Sequence, residues 1–235
     1  MAFVAKMNST AVNLGLTSTH FADVSGLDPG STSTAADLVR LGQAAMGEPA
    51  FSQIVSMGEV TLPVAGLLYN FDYDLGHDGI VGIKTGTDAA AGGCFLFEAQ
   101  QTVDSEKVTL VGALLGQRTS SPITAVLHSA EALATAAFAA MTDVPVVAAD
   151  QLDGRIVTPW GATVAVKAPR SPSIVGWPGF SMPARLSVGP LPSVATRGTR
   201  IGVLAVDLGG RTIDVVLRAS GPLSGPSAIW RLTRR

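Results

Sequence analysis

The sequence predicts an α+β fold, an antiparallel sheet with helices packed on it, followed by a small all-β domain. Three apolar runs, residues 79–87, 92–99 and 108–115, are separated by connections too short for crossover helices, which favours a meander over parallel strands. Helical periodicities lie on both sides of that meander. Beyond Thr142-Asp-Val-Pro145 the texture changes to frequent prolines and short Val/Ile/Leu runs, so the chain divides into residues 1–143 and 144–235. At 235 residues and 47% hydrophobic content there is material for one or two packed cores.

Along the first region, Phe3, Val4, Met7, Ala11 and Leu14 fall at helical spacing and Gly15 supplies a C-cap. Residues 19–22 read as a short extended piece and Ser25-Gly-Leu-Asp-Pro-Gly30 as a turn-rich loop. Thr34-Ala-Ala-Asp37 resembles a capping box, with Asp37 at the positive end of the helix dipole. Leu38, Leu41, Ala45 and Met46 then form a buried face, and Gly47-Glu-Pro49 ends the helix. A shorter helix (51–55), a strand (59–64) and a loop (69–78) lead into the meander. Ser121-Pro122 opens an Ala-rich helix running to Met141, with Pro in the first turn. In the second region, residues 163–166, 200–206 and 212–218 read as strands, with Gly209-Gly210 as a hairpin turn between the last two.

Composition excludes several classes. A net charge of −2 gives no overall footprint for nucleic acid, and the terminal Arg231, Arg234 and Arg235 read as a solvated tail. Cys94 is the only cysteine, so neither an intrachain disulfide nor a multi-cysteine zinc site forms; it reads as a small core residue. No run reaches the 18 apolar residues of a transmembrane helix. Met1-Ala-Phe-Val-Ala-Lys6 lacks the basic leader of a signal peptide and reads as the middle of a helix, as if a longer protein had been entered there.

The chemistry centres on Lys84-Thr85-Gly86, at the end of a strand and before a small-residue turn. A lysine ammonium holds a substrate carboxylate or tunes a neighbouring hydroxyl. Thr85 adds a hydroxyl donor, Gly86 leaves the backbone bare for an extended peptide, and the Thr87 N–H offers half of an oxyanion hole. Acyl-transfer sites that use Lys-Thr-Gly pair it with a Ser-x-x-Lys nucleophile box and a Ser-x-Asn box. Neither is present. Three places before Lys6, Lys84, Lys107 and Lys167 stand Phe3, Val81, Asp104 and Val164; two places before Asn8, Asn13 and Asn70 stand Lys6, Ala11 and Leu68.

Phe3-Val-Ala-Lys-Met-Asn8, Leu14-Gly-Leu-Thr-Ser-Thr-His-Phe21, Ser25-Gly-Leu-Asp28, Ser33-Thr-Ala-Ala-Asp37, Gly82-Ile-Lys-Thr-Gly86 with Ala91-Gly-Gly93, and Leu115-Gly-Gln-Arg-Thr119 occur in that order. Together they resemble the signatures of the serine D-alanyl-D-alanine carboxypeptidases, the low-molecular-weight penicillin-binding proteins. Ser227-Ala-Ile-Trp-Arg-Leu-Thr233 is similar to the ending of actinobacterial-type members with a C-terminal β domain. Ser25 stands where many relatives have histidine. The resemblance implies a β-lactamase/penicillin-binding transpeptidase-like fold, incomplete at its N-terminus. It also implies removal of the terminal D-Ala from peptidoglycan stem peptides through an acyl-serine, outside the cytoplasmic membrane, with no cofactor or metal and with β-lactams as inhibitors. By position, Lys84, Thr85, Gly86 and Thr87 would line the site and Arg118 would recognise the terminal carboxylate through its guanidinium. The serine and its lysine base would lie upstream, leaving these residues inactive alone.

Other residues carry less. His77-Asp78 reads as a solvated loop pair, His20 as structural, and His128 as a helix-surface residue. Asp72, Asp74 and Asp78 have a loosely calcium-like spacing without the twelfth-position glutamate. Two alternative functions remain open. One is a class A β-lactamase-like hydrolase, for which no deacylating glutamate is evident. The other is a non-catalytic cell-wall or partner-binding module using Trp160, Trp177, Phe180 and Trp230 as an apolar patch.

Overall fold

Helix α1 (Ala2–Asn13) ends where Gly15 takes φ +70°, with the Leu16 N–H donating back to Ala11 O at 2.9 Å. The computed structural model describes residues 2–147, 154–179, 181–208 and 211–233, and the chain forms two units, residues 1–140 and 141–235. The Gly209-Gly210 turn, Phe180, Arg234 and Arg235 lie outside the described residues. None of the described helices is long and apolar enough to cross a membrane.

In the first unit, Asn8 staples the following segment to α1 with two hydrogen bonds, Nδ2 to Phe21 O (2.8 Å) and Phe21 N to Oδ1 (2.9 Å). Helix α2 (Ala35–Met46) starts as expected: Thr34 Oγ1 accepts from Asp37 N at 3.2 Å. Asp37 itself is buried, accepting from Ser18 N, Thr19 Oγ1 and Arg40. Burial of a carboxylate is tolerated because each oxygen finds donors. Helix α3 (Pro49–Val55) follows, then β1 (Glu59–Leu62) and β2 (Gly66–Tyr69), an antiparallel hairpin whose residues are all exposed.

The meander is β3 (Ile80–Asp88), β4 (Gly92–Val103) and β5 (Glu106–Gln117), antiparallel in the order β3-β4-β5. Pairing runs Ile80↔Ala99, then slips by one residue to Gly82↔Glu98 and Lys84↔Leu96. Gly82 takes φ +145° at this slip, a backbone conformation closed to most side chains. Phe95, Phe97 and Ala99 of β4 are buried, as are Val126, Leu127, Ala130, Ala134 and Phe138 of α4 (Pro122–Ala139), which packs on the sheet. The fit is close. A Cβ on Gly93 would lie 2.3 Å from Pro122 O, and one on Gly112 would lie 2.3 Å from the Phe97 ring. Helix α2 lies over the other face, where Gly42 approaches Leu96 and Val111.

The second unit pairs β6 (Thr142–Pro145) with β9 (Ser173–Gly176). Its five-stranded sheet, ordered β10-β11-β12-β8-β7, is built from β7 (Gly154–Val157), β8 (Thr163–Lys167), β10 (Ala184–Val188), β11 (Arg200–Asp207) and β12 (Thr212–Ala219). Alternate residues such as Ile156, Val164, Val166, Leu217 and Ala219 form one core cluster, and Val146, Val147, Val206 and Val215 form a second. The short helix α5 (Ala228–Thr233) is fixed by the edge-on contact of Trp230 with Trp160, centroids 5.6 Å apart. Trp160 Nε1 donates to Ser224 O at 2.7 Å.

Three expectations change. Residues 66–69 form the strand β2. Thr142–Pro145, read as a junction, is the strand β6. Leu38, Leu41, Ala45 and Met46 are only half-buried, because the space over that side of α2 is an open cleft.

Candidate active site

Strand β3 is an edge. It bonds β4 on one side, and no described strand pairs with its other side. Lys84 is exposed there, opposite Leu96, and its Nζ donates to the Thr85 carbonyl. Thr85 is buried and paired with Phe95, so strand alternation turns its side chain to the sheet face opposite Lys84. The expectation of a hydroxyl beside the ammonium therefore gives way to two residues facing opposite ways.

Gly86 is exposed opposite Cys94. A Cβ there would meet nothing within 4 Å, and its φ is not in the left-handed region. Neither packing nor backbone conformation demands glycine at this position, in contrast to Gly82 and Gly93. What its missing side chain provides is room above the strand edge.

Lys84, Thr85 and Gly86 border a cleft of about 420 Å³ whose other walls include Leu38, Leu41 and Phe51 from the helices and Cys94, Leu96 and Leu115 from β4 and β5. Cys94 is half-buried in that wall, a correction to its reading as a core residue: the register places it opposite a glycine that cannot cover it. A second cleft, of about 610 Å³ and more polar, is lined by Thr87, Asp88, Ala89, Gln117, Arg118 and Ser120. Consecutive residues of one strand thus serve two neighbouring clefts.

Arg118, just beyond β5, donates Nη2 to Ala90 O at 2.6 Å and Nη1 to Ala89 O at 3.4 Å. Asp88 Oδ1 accepts from Ala91 N inside the same turn. The guanidinium has five N–H donors, so these two bonds leave others for an incoming anion.

The loop entering β3 is tied down by Asn70, whose Nδ2 donates to Val55 O and Met57 O. Asp72 is buried. Its Oδ1 accepts from Asp74 N, while its Oδ2 is enclosed without a partner. Burial pushes the carboxyl up to about 6, with the neighbouring Asp74 charge adding to the effect. Nothing in the sequence marks Asp72 apart from Asp74 and Asp78. Among the described residues no three metal-capable side chains converge, so the calcium-like spacing of these aspartates does not become a site. His77 is exposed, His128 faces Glu131 at 3.7 Å on the surface of α4, and His20 pairs through its backbone with Thr32.

The family model described as D-alanyl-D-alanine carboxypeptidase, peptidase S11, matches residues 1–118. The D-alanyl-D-alanine carboxypeptidase DacB2 of Mycobacterium tuberculosis is 45% identical over 95 residues, 37% of this chain and 33% of that protein. A D-alanyl-D-alanine carboxypeptidase of a Streptomyces species is 30% identical over 109 residues, 42% of this chain and 38% of its own length. The chain thus matches over little more than a third of the length of these curated relatives. Among solved structures, a Streptococcus pneumoniae peptidoglycan synthesis regulatory factor superposes with TM-score 0.58 at 18% identity, over 93% of this chain and 68% of its own. The carboxypeptidase DacD of Francisella tularensis gives 0.51 at 20% identity, over 95% and 68%. At these identities the likeness is one of fold.

Proposed function

The chain belongs to the D-alanyl-D-alanine carboxypeptidase family, peptidase S11, and we propose that it carries the Lys-Thr-Gly wall of such an enzyme's active site. The substrate is a peptidoglycan stem peptide ending in D-Ala-D-Ala, outside the cytoplasmic membrane. The reading rests chiefly on Gly86: a glycine that the fold itself does not need, beside Lys84 on an unpaired strand edge.

An extended peptide adds to the free edge of β3 by main-chain hydrogen bonds, and Gly86 lets it approach. The Lys84 ammonium gives the cleft a fixed positive charge. The Thr87 N–H faces the carbonyl that becomes an oxyanion, where one preorganised donor is worth about 3–4 kcal/mol. Remaining N–H groups of Arg118 take the terminal carboxylate. A serine hydroxyl attacks the penultimate carbonyl, its proton passes to the departing D-Ala amine, and water then releases the acyl group and restores the serine. With no Ser-x-x-Lys among the 235 residues, that serine comes from a segment outside them. β-Lactams, which acylate the same serine, are inhibitors of the completed enzyme.

A fluorescent penicillin tests this directly. The 235-residue chain alone should remain unlabelled. The same chain joined to a Ser-x-x-Lys segment from a member of the family should be labelled covalently, and Lys84→Ala in that longer protein should remove most of the signal. Labelling of the short chain, or full labelling of the lysine variant, would overturn the reading.

A further inference from the structure

The net charge of −2 conceals a division between the two units. Residues 1–140 hold five Lys/Arg against thirteen Asp/Glu, a net of −8; residues 141–235 hold eleven against five, a net of +6. Charge asymmetry on this scale points to a polyanionic partner for the basic part.

The cations of the second unit are arranged in the sheet. Arg200 of β11 pairs directly with Arg218 of β12, which pairs directly with Lys167 of β8. All three are exposed, on the side of the ladder away from Val166 and Leu217. Arg155 of β7 joins the same face opposite Ala165, two residues from Lys167. Neighbouring strands are about 4.8 Å apart, so the row sets three cationic residues within about 10 Å of one another along the backbone. Like charges directly opposite one another destabilise a sheet. Among the described residues, the ion pairs Arg40–Asp37 and His128–Glu131 both lie in the first unit, and neither involves a member of this row. The ladder's own carboxylates, Asp207 and Asp214, stand at its far end, opposite Thr212 and Ala205.

The guanidinium of Arg218 is held by a backbone carbonyl instead, Nη1 to Gly198 O at 2.8 Å, and Arg197 Nε likewise donates to Ser220 O at 2.9 Å. These bonds fix the groups without neutralising them. Apart from Val157, no large apolar side chain of β7, β8 or β12 is among the exposed ones, so the face lacks a wedge for a lipid bilayer.

We propose that the Arg200–Arg218–Lys167 face docks a linear phosphate-bearing polyanion. Its like charges stand directly opposite one another, its central guanidinium is held by the Gly198 carbonyl, and an anionic partner supplies counter-charge. This surface belongs to the second unit and Lys84 to the first, so the proposal stands whether or not the peptidase reading does.

Binding of inorganic polyphosphate to the full chain, measured by calorimetry from 50 to 200 mM salt, tests it. With three phosphates engaged, affinity should fall about twentyfold across that range, from a slope of about −0.7 per contact. The triple variant Lys167→Gln/Arg200→Gln/Arg218→Gln should bind at least tenfold more weakly and flatten the salt slope. Lys6→Gln/Lys107→Gln/Arg170→Gln, with equal charge removed, should stay within twofold. Arg200→Gln alone, expected to weaken binding about threefold, decides the matter if the triple variant does not fold. No binding at 50 mM salt, equal loss in the control variant, or uptake of phosphatidylglycerol vesicles without polyphosphate binding would each overturn the proposal.

Discussion

Arg118 is bound to Ala90 across 28 residues of chain, Nη2 to carbonyl at 2.6 Å, so the end of β5 holds the turn between β3 and β4. The side chain expected to meet a substrate carboxylate therefore also shapes the rim on which that carboxylate would rest.

The double role separates by substitution. Arg118→Ala loses both the turn contacts and the free donors. Net loss from exposed hydrogen bonds of this kind is about 0.5–1.5 kcal/mol, readable in urea unfolding. In the completed enzyme, KM for a D-Ala-D-Ala peptide should rise tenfold or more. Arg118→Lys should recover part of the affinity through its charge while leaving the turn loosened, visible as faster amide exchange at residues 89–91.

Gly86→Ala should divide stability from activity. With no atom within 4 Å of the new Cβ, and glycine costing about 0.5–1 kcal/mol relative to alanine in a strand, the chain should be unchanged or slightly stabilised. Peptidase activity of the completed enzyme should fall at least tenfold, because the methyl group stands where the peptide adds. Equal activity would show that the edge is not the docking line.

Asp72 makes a pH prediction. Its carboxyl, raised from 3.8 to about 6 by burial, binds a proton more readily folded than unfolded. Its contribution to stability is therefore complete below about pH 4, is lost as pH rises through 6, and stays lost at neutrality. Asp72→Asn, which keeps an acceptor for Asp74 N, should raise stability at pH 7.5 by about 1–3 kcal/mol, the upper figure being two pKa units at 1.36 each. It should have little effect at pH 4. Denaturant midpoints across that range are the measurement.

The meander was legible because its apolar runs are long and its connections short, and the capping of α2 because Thr34 and Asp37 are close in sequence. Strand β2 was not, since Gly66–Tyr69 is apolar at consecutive positions and fully exposed, leaving no alternation to read. Lys84, Gly86 and Arg118 were singled out as candidates through motifs. The burial of Thr85 and the carbonyl contacts of Arg118 were not, because each depends on register or on partners far along the chain. The cationic row was hidden for the same reason: Lys167, Arg200 and Arg218 are scattered in sequence, and only pairing of β11, β12 and β8 brings them abreast.

The single-residue slip in the β3–β4 ladder decides which way the motif lysine looks. Continued without it, the pairing that begins Ile80↔Ala99 would set Lys84 against Phe95, turning the ammonium into the aromatic layer beneath α4. The inserted residue, Val81, rotates everything after it by half a turn, and the charge emerges on the open side. Deleting Val81 would straighten the strand yet keep Lys84 against Leu96, whereas drawing Val81 into the ladder opposite Glu98 would invert the site with every motif letter in place.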